Sequence, residues 1–152
     1  MDDEKRKELK EVLFKEIDLI QACITRMAQN SFVCKGWVLT LTAALLALSK
    51  DELPHCVTGI VMIYFSICFW GLDAFFLQQE KKYRGKYNWV IKNRMTDERF
   101  MFDLNPNNEI MTDTKEKIKF LNVMFSKTLL PMYLVILALS VIYTVVSIIG
   151  LI

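Results

Sequence analysis

The sequence predicts an all-α membrane protein that crosses the bilayer three times. Its 152 residues are 53% hydrophobic and 24% charged, but the charges are confined to a few stretches. Segment 27–49 contains only Lys35, segment 53–79 contains only Asp73, and segment 128–152 contains no charge. Each segment is long enough, at about 1.5 Å per helical residue, to cross a hydrocarbon core of roughly 30 Å. This pattern argues against a soluble one-domain enzyme.

Lysine and arginine residues predict the orientation, because positive residues near span ends stay on the cytoplasmic side. Residues 1–35 hold seven of them, residues 78–127 hold eleven, and the connection 50–55 holds one. We therefore expect a multi-pass protein with a cytoplasmic N terminus, an outer loop at 50–55 and a C terminus outside.

The chain is expected to form a single membrane domain, residues 1–152, with five parts. These are a cytoplasmic amphipathic helix (1–26), span 1 (27–49), span 2 (53–79), a small cytoplasmic insertion (80–127) and span 3 (128–152).

The amphipathic helix is predicted by apolar residues at intervals of three and four. These residues are Leu9, Val12, Leu13, Ile17, Ile20, Ile24 and Met27. Its acidic and basic residues balance, which leaves no strongly cationic face. Packing against a neighbouring subunit or the chain's own cytoplasmic helices is therefore favoured over lying on lipid.

The helix of span 2 is expected to continue into the cytoplasm, because residues 78–92 contain no proline and only Gly85 as a weak point. A short strand or hairpin is considered for Arg99–Leu104, ahead of the turn signal Asn-Pro-Asn-Asn at 105–108. Asp113 and Glu116 resemble a capping box.

A further helix is expected from Ile118 through Lys127 into span 3, since apolar residues recur there at helical spacing. Pro131 is tolerated in the first turn of that span.

Composition predicts neither a cofactor nor a metal, and no catalytic residue. One histidine and four scattered cysteines without a CxxC pair do not match a spaced zinc or iron–sulfur site. We interpret the cysteines as small apolar residues and not as a disulfide framework. Glycine-rich phosphate loops are missing from the sequence, and nucleic acid is not an expected partner.

Lys35 and Asp73 are predicted to form an intramembrane ion pair. Each lies 19 positions from Pro54, so an antiparallel hairpin around Pro54 would place them at similar depth. An unpaired charge there costs a few kcal/mol. A bridge that sets the hairpin register is favoured, and an ion or proton pathway and snorkelling of Lys35 remain alternatives.

Four residues fall on one stripe of a continuous helix because they are seven, four and three positions apart: Asp73, Glu80, Arg84 and Tyr87. This stripe is interpreted as an oligomer contact, with the wall of a watery vestibule as the alternative.

Basic residues interleaved with Tyr83, Tyr87 and Trp89 follow span 2, namely Lys81, Lys82, Lys86, Lys92 and Arg94, with Arg84 among them. The favoured interpretation is a lipid-facing cluster that attracts anionic lipids. A nucleotide or second-messenger face is the alternative.

A packing motif is assigned to Arg26, Asn30, Ser31 and Trp37 at the start of span 1. Arg26, Asn30 and Trp37 share one helical face, while Ser31 lies on another with Lys35. Small residues further along make this span suitable for close helix packing, and a pore lining would need oligomerisation.

Two motifs are distinctive, ITRMAQNSFVCKGW at 24–37 and LDAFFLQQEKKYRGKY at 72–87. Through them, over roughly residues 20–104, the chain resembles a family of small bacterial three-span membrane proteins with no assigned activity. Its architecture is similar to membrane effectors of bacterial anti-phage defence, in which helical spans oligomerise and compromise the inner membrane. The resemblance implies the bacterial inner membrane, so the C terminus that the lysine and arginine count places outside is expected in the periplasm. No appended sensor domain is evident in the sequence, which leaves room for a partner protein encoded nearby as the trigger.

The sequence therefore favours a non-enzymatic, oligomerising inner-membrane protein, a membrane-perturbing or pore-forming effector in antiviral defence. The alternative is a channel or transporter accessory subunit. A membrane enzyme is the third class. It would require clustered catalytic groups, and in this sequence only Asp73, Glu80 and Arg84 cluster. The expected partners are the lipid bilayer, anionic lipids and copies of the chain.

Overall fold

The computed structural model describes residues 3–49, 54–108 and 118–150, and every regular element in these ranges is a helix. The helices are α1 (Asp3–Leu48), α2 (His55–Asn93), α3 (Phe120–Met124) and α4 (Leu130–Ile148). Helices α1, α2 and α4 are each long and apolar enough to cross a membrane. The predicted all-helical class is thus confirmed.

Helix α1 joins the amphipathic segment and the first apolar segment in 46 uninterrupted residues. Residues 3–48 contain no proline and a single glycine, so nothing in this stretch forces a break. Helix α2 begins directly after Pro54 and continues to Asn93. The expected continuation of the second apolar segment beyond residue 79 is confirmed.

The strand considered for Arg99–Leu104 is wrong, because these residues form turns and irregular backbone. Their carbonyls are bonded by a side chain instead of a neighbouring strand, since Arg94 donates to the oxygens of Arg99 and Phe100. The turn signal that follows is seen as an Asx turn, in which Asn107 N donates to Asn105 Oδ1 at 3.0 Å. The capping box of Asp113 and Glu116 lies outside the described residues.

The continuous helix expected from Ile118 into span 3 is also wrong, because α3 ends at Met124 and α4 begins at Leu130. Trp70 Nε1 donates to the Met124 carbonyl at 2.9 Å and so takes the acceptor that the next helical turn would use. Pro131 has no N–H to extend the bonding pattern backwards, and it stands in the first turn of α4 as predicted.

The described residues form two compact units. We call 3–29, 76–108 and 118–119 the charged unit, and 30–49, 54–75 and 120–150 the apolar unit. The core of the charged unit is Ile20, Trp89 and Val90.

The apolar unit packs α1, α2 and α4 through small and hydroxylated residues. The buried line of α4 consists of Tyr133, Ile136, Ser140 and Thr144. Ser140 Oγ donates to the Ile136 carbonyl at 2.8 Å and Thr144 Oγ1 to the Ser140 carbonyl at 2.7 Å. Because the hydroxyls bond to their own helix, they can be buried without water.

Gly59 lies at a close approach between α2 and α4. A Cβ atom at this position would lie 2.1 Å from Thr144 Oγ1 and 3.1 Å from the Thr144 Cα atom. Both a side chain and the backbone of α4 would have to move, so only glycine fits without displacement.

We expect Gly59→Ala to lower the free energy of unfolding by about 1–3 kcal/mol, the usual cost of overpacking. Thermal unfolding in mild detergent measures this change. Gly71→Ala is the matched control on the same helix, since a Cβ atom there meets nothing within 4 Å. Equal stability of the two variants would contradict the close approach at Gly59.

Candidate functional site

Asp73 is the centre of a polar network within the apolar unit. Its side chain is fully buried, and Lys35 Nζ lies 2.7 Å from Oδ2 and 2.9 Å from Oδ1. Ser31 Oγ donates to Oδ1, and Tyr133 OH donates to Oδ2 at 3.0 Å. One carboxylate on α2 therefore binds three side chains from α1 and α4.

The donors of this network support one another. Lys35 and Ser31 are one turn apart on α1, and Lys35 Nζ also donates to Ser31 Oγ at 2.8 Å. Charge pairing and full hydrogen bonding together offset the cost of removing Asp73 from water. We call this set of four residues the Asp73 network, and its direct effect is to hold three helices in one register.

The structure thus brings Lys35 and Asp73 together, as their equal distances from Pro54 predict. Sequence reasoning missed Tyr133. A comparison of depths in the membrane could have identified Tyr133. Asp73 is six residues before the end of segment 53–79, and Tyr133 is five residues after the start of segment 128–152. In an antiparallel pair of spans these positions lie at similar depth.

The stripe predicted from Asp73 to Tyr87 does not behave as one surface. Asp73 is enclosed by residues of its own chain, so its assignment to a subunit contact or vestibule is wrong. Glu80 and Arg84 pair with each other, with Arg84 Nη2 at 2.8 Å from Glu80 Oε1. Tyr87 packs against the core of the charged unit.

The packing motif predicted for α1 is only partly buried. Ser31 is buried, Asn30 is half-buried, Arg26 is exposed and Trp37 is 54% exposed. The motif is therefore wrong for Arg26 and Trp37. Because successive helical residues turn by about 100°, these two residues point away from the line of α1 that carries Ser31.

The lipid-facing basic cluster is wrong for Lys86 and Arg94, which are both buried in the charged unit. Lys86 shares a face of α2 with buried Val90, and Arg94, directly after the end of α2, continues this line because it lies four positions after Val90. Lys81 and Lys92 are exposed, and Lys82 Nζ donates to Asn107 Oδ1 at 2.7 Å.

Arg94 is the centre of a second polar network, in the charged unit. Its Nε and Nη2 atoms donate to the carboxylate of Glu16, which is buried on α1. Nη1 donates to the carbonyls of Asp97 and Arg99, each at 2.8 Å, and Nη2 donates to Phe100 O at 3.3 Å. All five N–H donors of the guanidinium are used.

This Arg94 network shapes the backbone that follows α2. Glu16 Oε1 also accepts the Phe102 N–H at 2.7 Å. Phe100 and Phe102 adopt φ angles of 56° and 57°, a conformation that costs non-glycine residues roughly 1–3 kcal/mol. The saturated bonds of Arg94 and Glu16 hold these residues in the left-handed region.

Glu16 was missed by sequence reasoning, although the pattern contains a signal. It lies four positions after Val12 and four before Ile20, on the apolar side of the amphipathic helix. An acidic residue on an apolar face needs a buried cationic partner. The identity of that partner could not be read from α1 alone.

Lys86 is tied to the segment after Arg94. Its ammonium donates to the Asn105 carbonyl at 3.1 Å and lies 4.0 Å from Asp103 Oδ1. Burial lowers the pKa of Lys86, while the backbone N–H of Asn105 lowers the pKa of Asp103. The nearby carboxylate of Asp103 therefore favours the charged form of Lys86 and offsets part of the cost of burying this cation.

A cleft of about 480 Å³ lies in the charged unit between α1 and α2. It is lined by Gln21, Ile24, Thr25, Arg84, Tyr87 and Asn88. Gln21 Nε2 lies 3.4 Å from Tyr87 OH, a long hydrogen bond across it. In the described parts of the chain no three His, Cys, Asp or Glu side chains are placed to hold a metal ion, and the four cysteines are free thiols.

Comparison with protein families, curated proteins and solved structures finds no match to this chain. The arrangement of its own side chains is therefore the basis of a functional assignment.

We expect Asp73→Ala to destabilise the protein by about 3 kcal/mol, because Lys35 loses its counter-ion in an apolar setting. Lys35→Ala combined with Asp73→Ala should cost about 1–3 kcal/mol less than the sum of the single changes. Unfolding in detergent measures all three. Tyr133→Phe is the control that keeps the ion pair and removes one hydrogen bond, at about 1 kcal/mol. Additive single effects would contradict the coupling.

We expect Arg94→Lys to release the backbone around Phe102, since an ammonium has three donors in place of five. The Phe102 amide bonds to Glu16, so its hydrogen exchange reports the network directly. Its exchange should accelerate about tenfold or more. Arg99→Lys, at an exposed residue whose guanidinium pairs with Asp97, is the control. Unchanged protection in Arg94→Lys would show that the network does not hold this backbone.

Proposed function

We propose that the chain is a non-enzymatic protein of the bacterial inner membrane that assembles with copies of itself and perturbs the bilayer, as an effector in antiviral defence. The observation that carries this proposal is the apolar surface left uncovered by the chain. Only 17%, 28% and 22% of the most apolar stretch of α1, α2 and α4 is buried within the protein. Such a surface needs lipid or another copy around it.

One face of α1 in the apolar unit is suited to helix association. It carries five exposed small residues, Gly36, Thr40, Ala43, Ala44 and Ala47, which we call the small-residue face. Small residues three and four positions apart let two helix backbones approach closely in a membrane. Thr40 Oγ1 donates to the Gly36 carbonyl at 3.0 Å, so its hydroxyl needs no partner from outside.

We therefore assign the contact between subunits to the small-residue face, in place of the stripe from Asp73 to Tyr87 that the sequence predicted. Asp73 needs no neighbouring subunit, because Lys35, Ser31 and Tyr133 satisfy it within the chain. Copies of the chain can associate by packing small residues together, and this kind of contact needs no buried charge.

A non-enzymatic role is supported by how the polar groups are used. Among the described residues, no buried side-chain nitrogen or oxygen lacks a hydrogen-bond partner. Asp73 and Glu16, the two most buried carboxylates discussed above, are each bonded to three donor groups. Groups held in this way serve the fold, whereas a general base needs room for a substrate proton.

The antiviral assignment is supported by the similarity in architecture to anti-phage membrane effectors. The distribution of lysine and arginine supports a cytoplasmic N terminus and a periplasmic C terminus.

Gly36→Leu should weaken self-association about tenfold, because a larger side chain separates the two helices. Native mass spectrometry in mild detergent and growth arrest on overexpression measure assembly and activity. Gly71→Leu on α2 is the matched control, since both glycines have open space where a Cβ would stand.

A wild-type monomer that arrests growth fully would contradict the proposal. Equal loss of assembly in both glycine variants would contradict the small-residue face as the contact. Stable copurification with a transporter and no effect on the bilayer would favour the accessory-subunit alternative and overturn the effector role.

A further inference from the structure

Helix α3 and the turn after it expose an apolar surface that the fold does not cover. Leu121 is 62% exposed and Phe125 is 56% exposed, whereas Val123 on the opposite side is buried. The segment is held in place by Trp70. Its Nε1 atom donates to the Met124 carbonyl, and its ring meets the Phe125 ring edge-on, with the two centroids 5.4 Å apart. These contacts therefore hold Leu121 and Phe125 on the outer surface of the apolar unit.

The position of this segment in the apolar unit indicates what surrounds it. Helix α4 has 19 residues, which gives about 28 Å at 1.5 Å per residue, close to the thickness of a hydrocarbon core. Its first residue, Leu130, would then lie at one boundary of that core. Helix α3 ends six positions before it, so with this boundary the segment 120–128 would lie at the level of the lipid headgroups.

The support of the segment extends to α4. The Trp70 ring stacks on the ring of Tyr133, in the first turn of α4, with centroids 6.0 Å apart. Both rings are buried, so this contact links the segment firmly to the start of α4.

The polar side of the segment has the chemistry of a phosphate contact. Ser126, Lys127 and Thr128 follow Phe125, and Lys127 and Thr128 are exposed. Ser126 Oγ and Thr128 Oγ1 are 3.0 Å apart, on either side of Lys127. A lysine flanked in the sequence by two hydroxyl residues complements an anionic headgroup, while the apolar side chains beside it complement acyl chains.

We infer that residues 120–128 form an interfacial lipid-binding segment, with Leu121 and Phe125 inserted among acyl chains and Lys127 bound to the phosphate of an anionic phospholipid. This inference rests on the proposed location in a membrane. It assigns the lipid contact to a segment different from the basic cluster predicted after span 2.

Three single tryptophan variants of the full chain, reconstituted in phosphatidylcholine vesicles, test the depth of the segment. They are Leu121→Trp, Leu139→Trp in the middle of α4 and Phe14→Trp in the charged unit, all at positions at least 60% exposed. The wild type supplies the background of the three native tryptophans. Lipids brominated near the headgroup or deep in the chain quench fluorescence at the corresponding depth.

We expect Leu121→Trp to be quenched most by shallow bromine, Leu139→Trp by deep bromine and Phe14→Trp by neither. If Leu139→Trp is quenched and Leu121→Trp is not, the interfacial segment is refuted while the membrane location stands. If Leu139→Trp is also unquenched, the proposed membrane location itself fails.

Brominated phosphatidylglycerol tests the headgroup contact. It should quench Leu121→Trp more strongly than brominated phosphatidylcholine, with a preference of about fivefold for one lysine near the surface. Lys127→Gln in the same background should remove that preference, and Lys81→Gln should keep it, since Lys81 belongs to α2 and not to segment 120–128. A preference that survives Lys127→Gln would overturn the assignment of Lys127.

Discussion

The cost of burying charge in an apolar setting governs the organisation of this protein. Asp73 lies among helices that expose mostly aliphatic and aromatic surface, where a carboxylate without partners costs several kcal/mol. Lys35 and Ser31 from α1 and Tyr133 from α4 supply those partners. Because the donors come from two other helices, satisfying one carboxylate also determines how α1, α2 and α4 pack. The small residues between α2 and α4, with Gly59 at a close approach to Thr144, then fill the remaining space.

The same requirement shapes the charged unit, with a different consequence for the backbone. Glu16 is buried on the apolar side of α1, and only a cation with several donors can compensate it. Arg94 does so and spends its other donors on the carbonyls of the chain that follows α2. The bonds of this network stabilise left-handed conformations at Phe100 and Phe102 that would otherwise be unfavourable.

Since the Asp73 network uses its charges within the chain, the apolar unit meets its surroundings mainly through uncharged surface. The small-residue face of α1 is suited to a second helix, and α3 is suited to the boundary between headgroups and acyl chains. A membrane-perturbing assembly held by packing and by lipid is consistent with this division. It needs no buried charge at the contact between subunits.

The sequence by itself determined the helical class, the three apolar helices and the pairing of Lys35 with Asp73. Each of these depends on local composition or on counting from one turn, and none of the three requires knowledge of distant contacts. Tertiary structure alone decided that Lys86 and Arg94 are buried, because helical spacing shows which residues share a face but not what covers it. The partner of Arg94 is 78 positions away on α1, and the bond that ends α3 comes from Trp70, 54 positions earlier. A contact between such distant positions exists only once two helices have packed, so no local pattern can carry it.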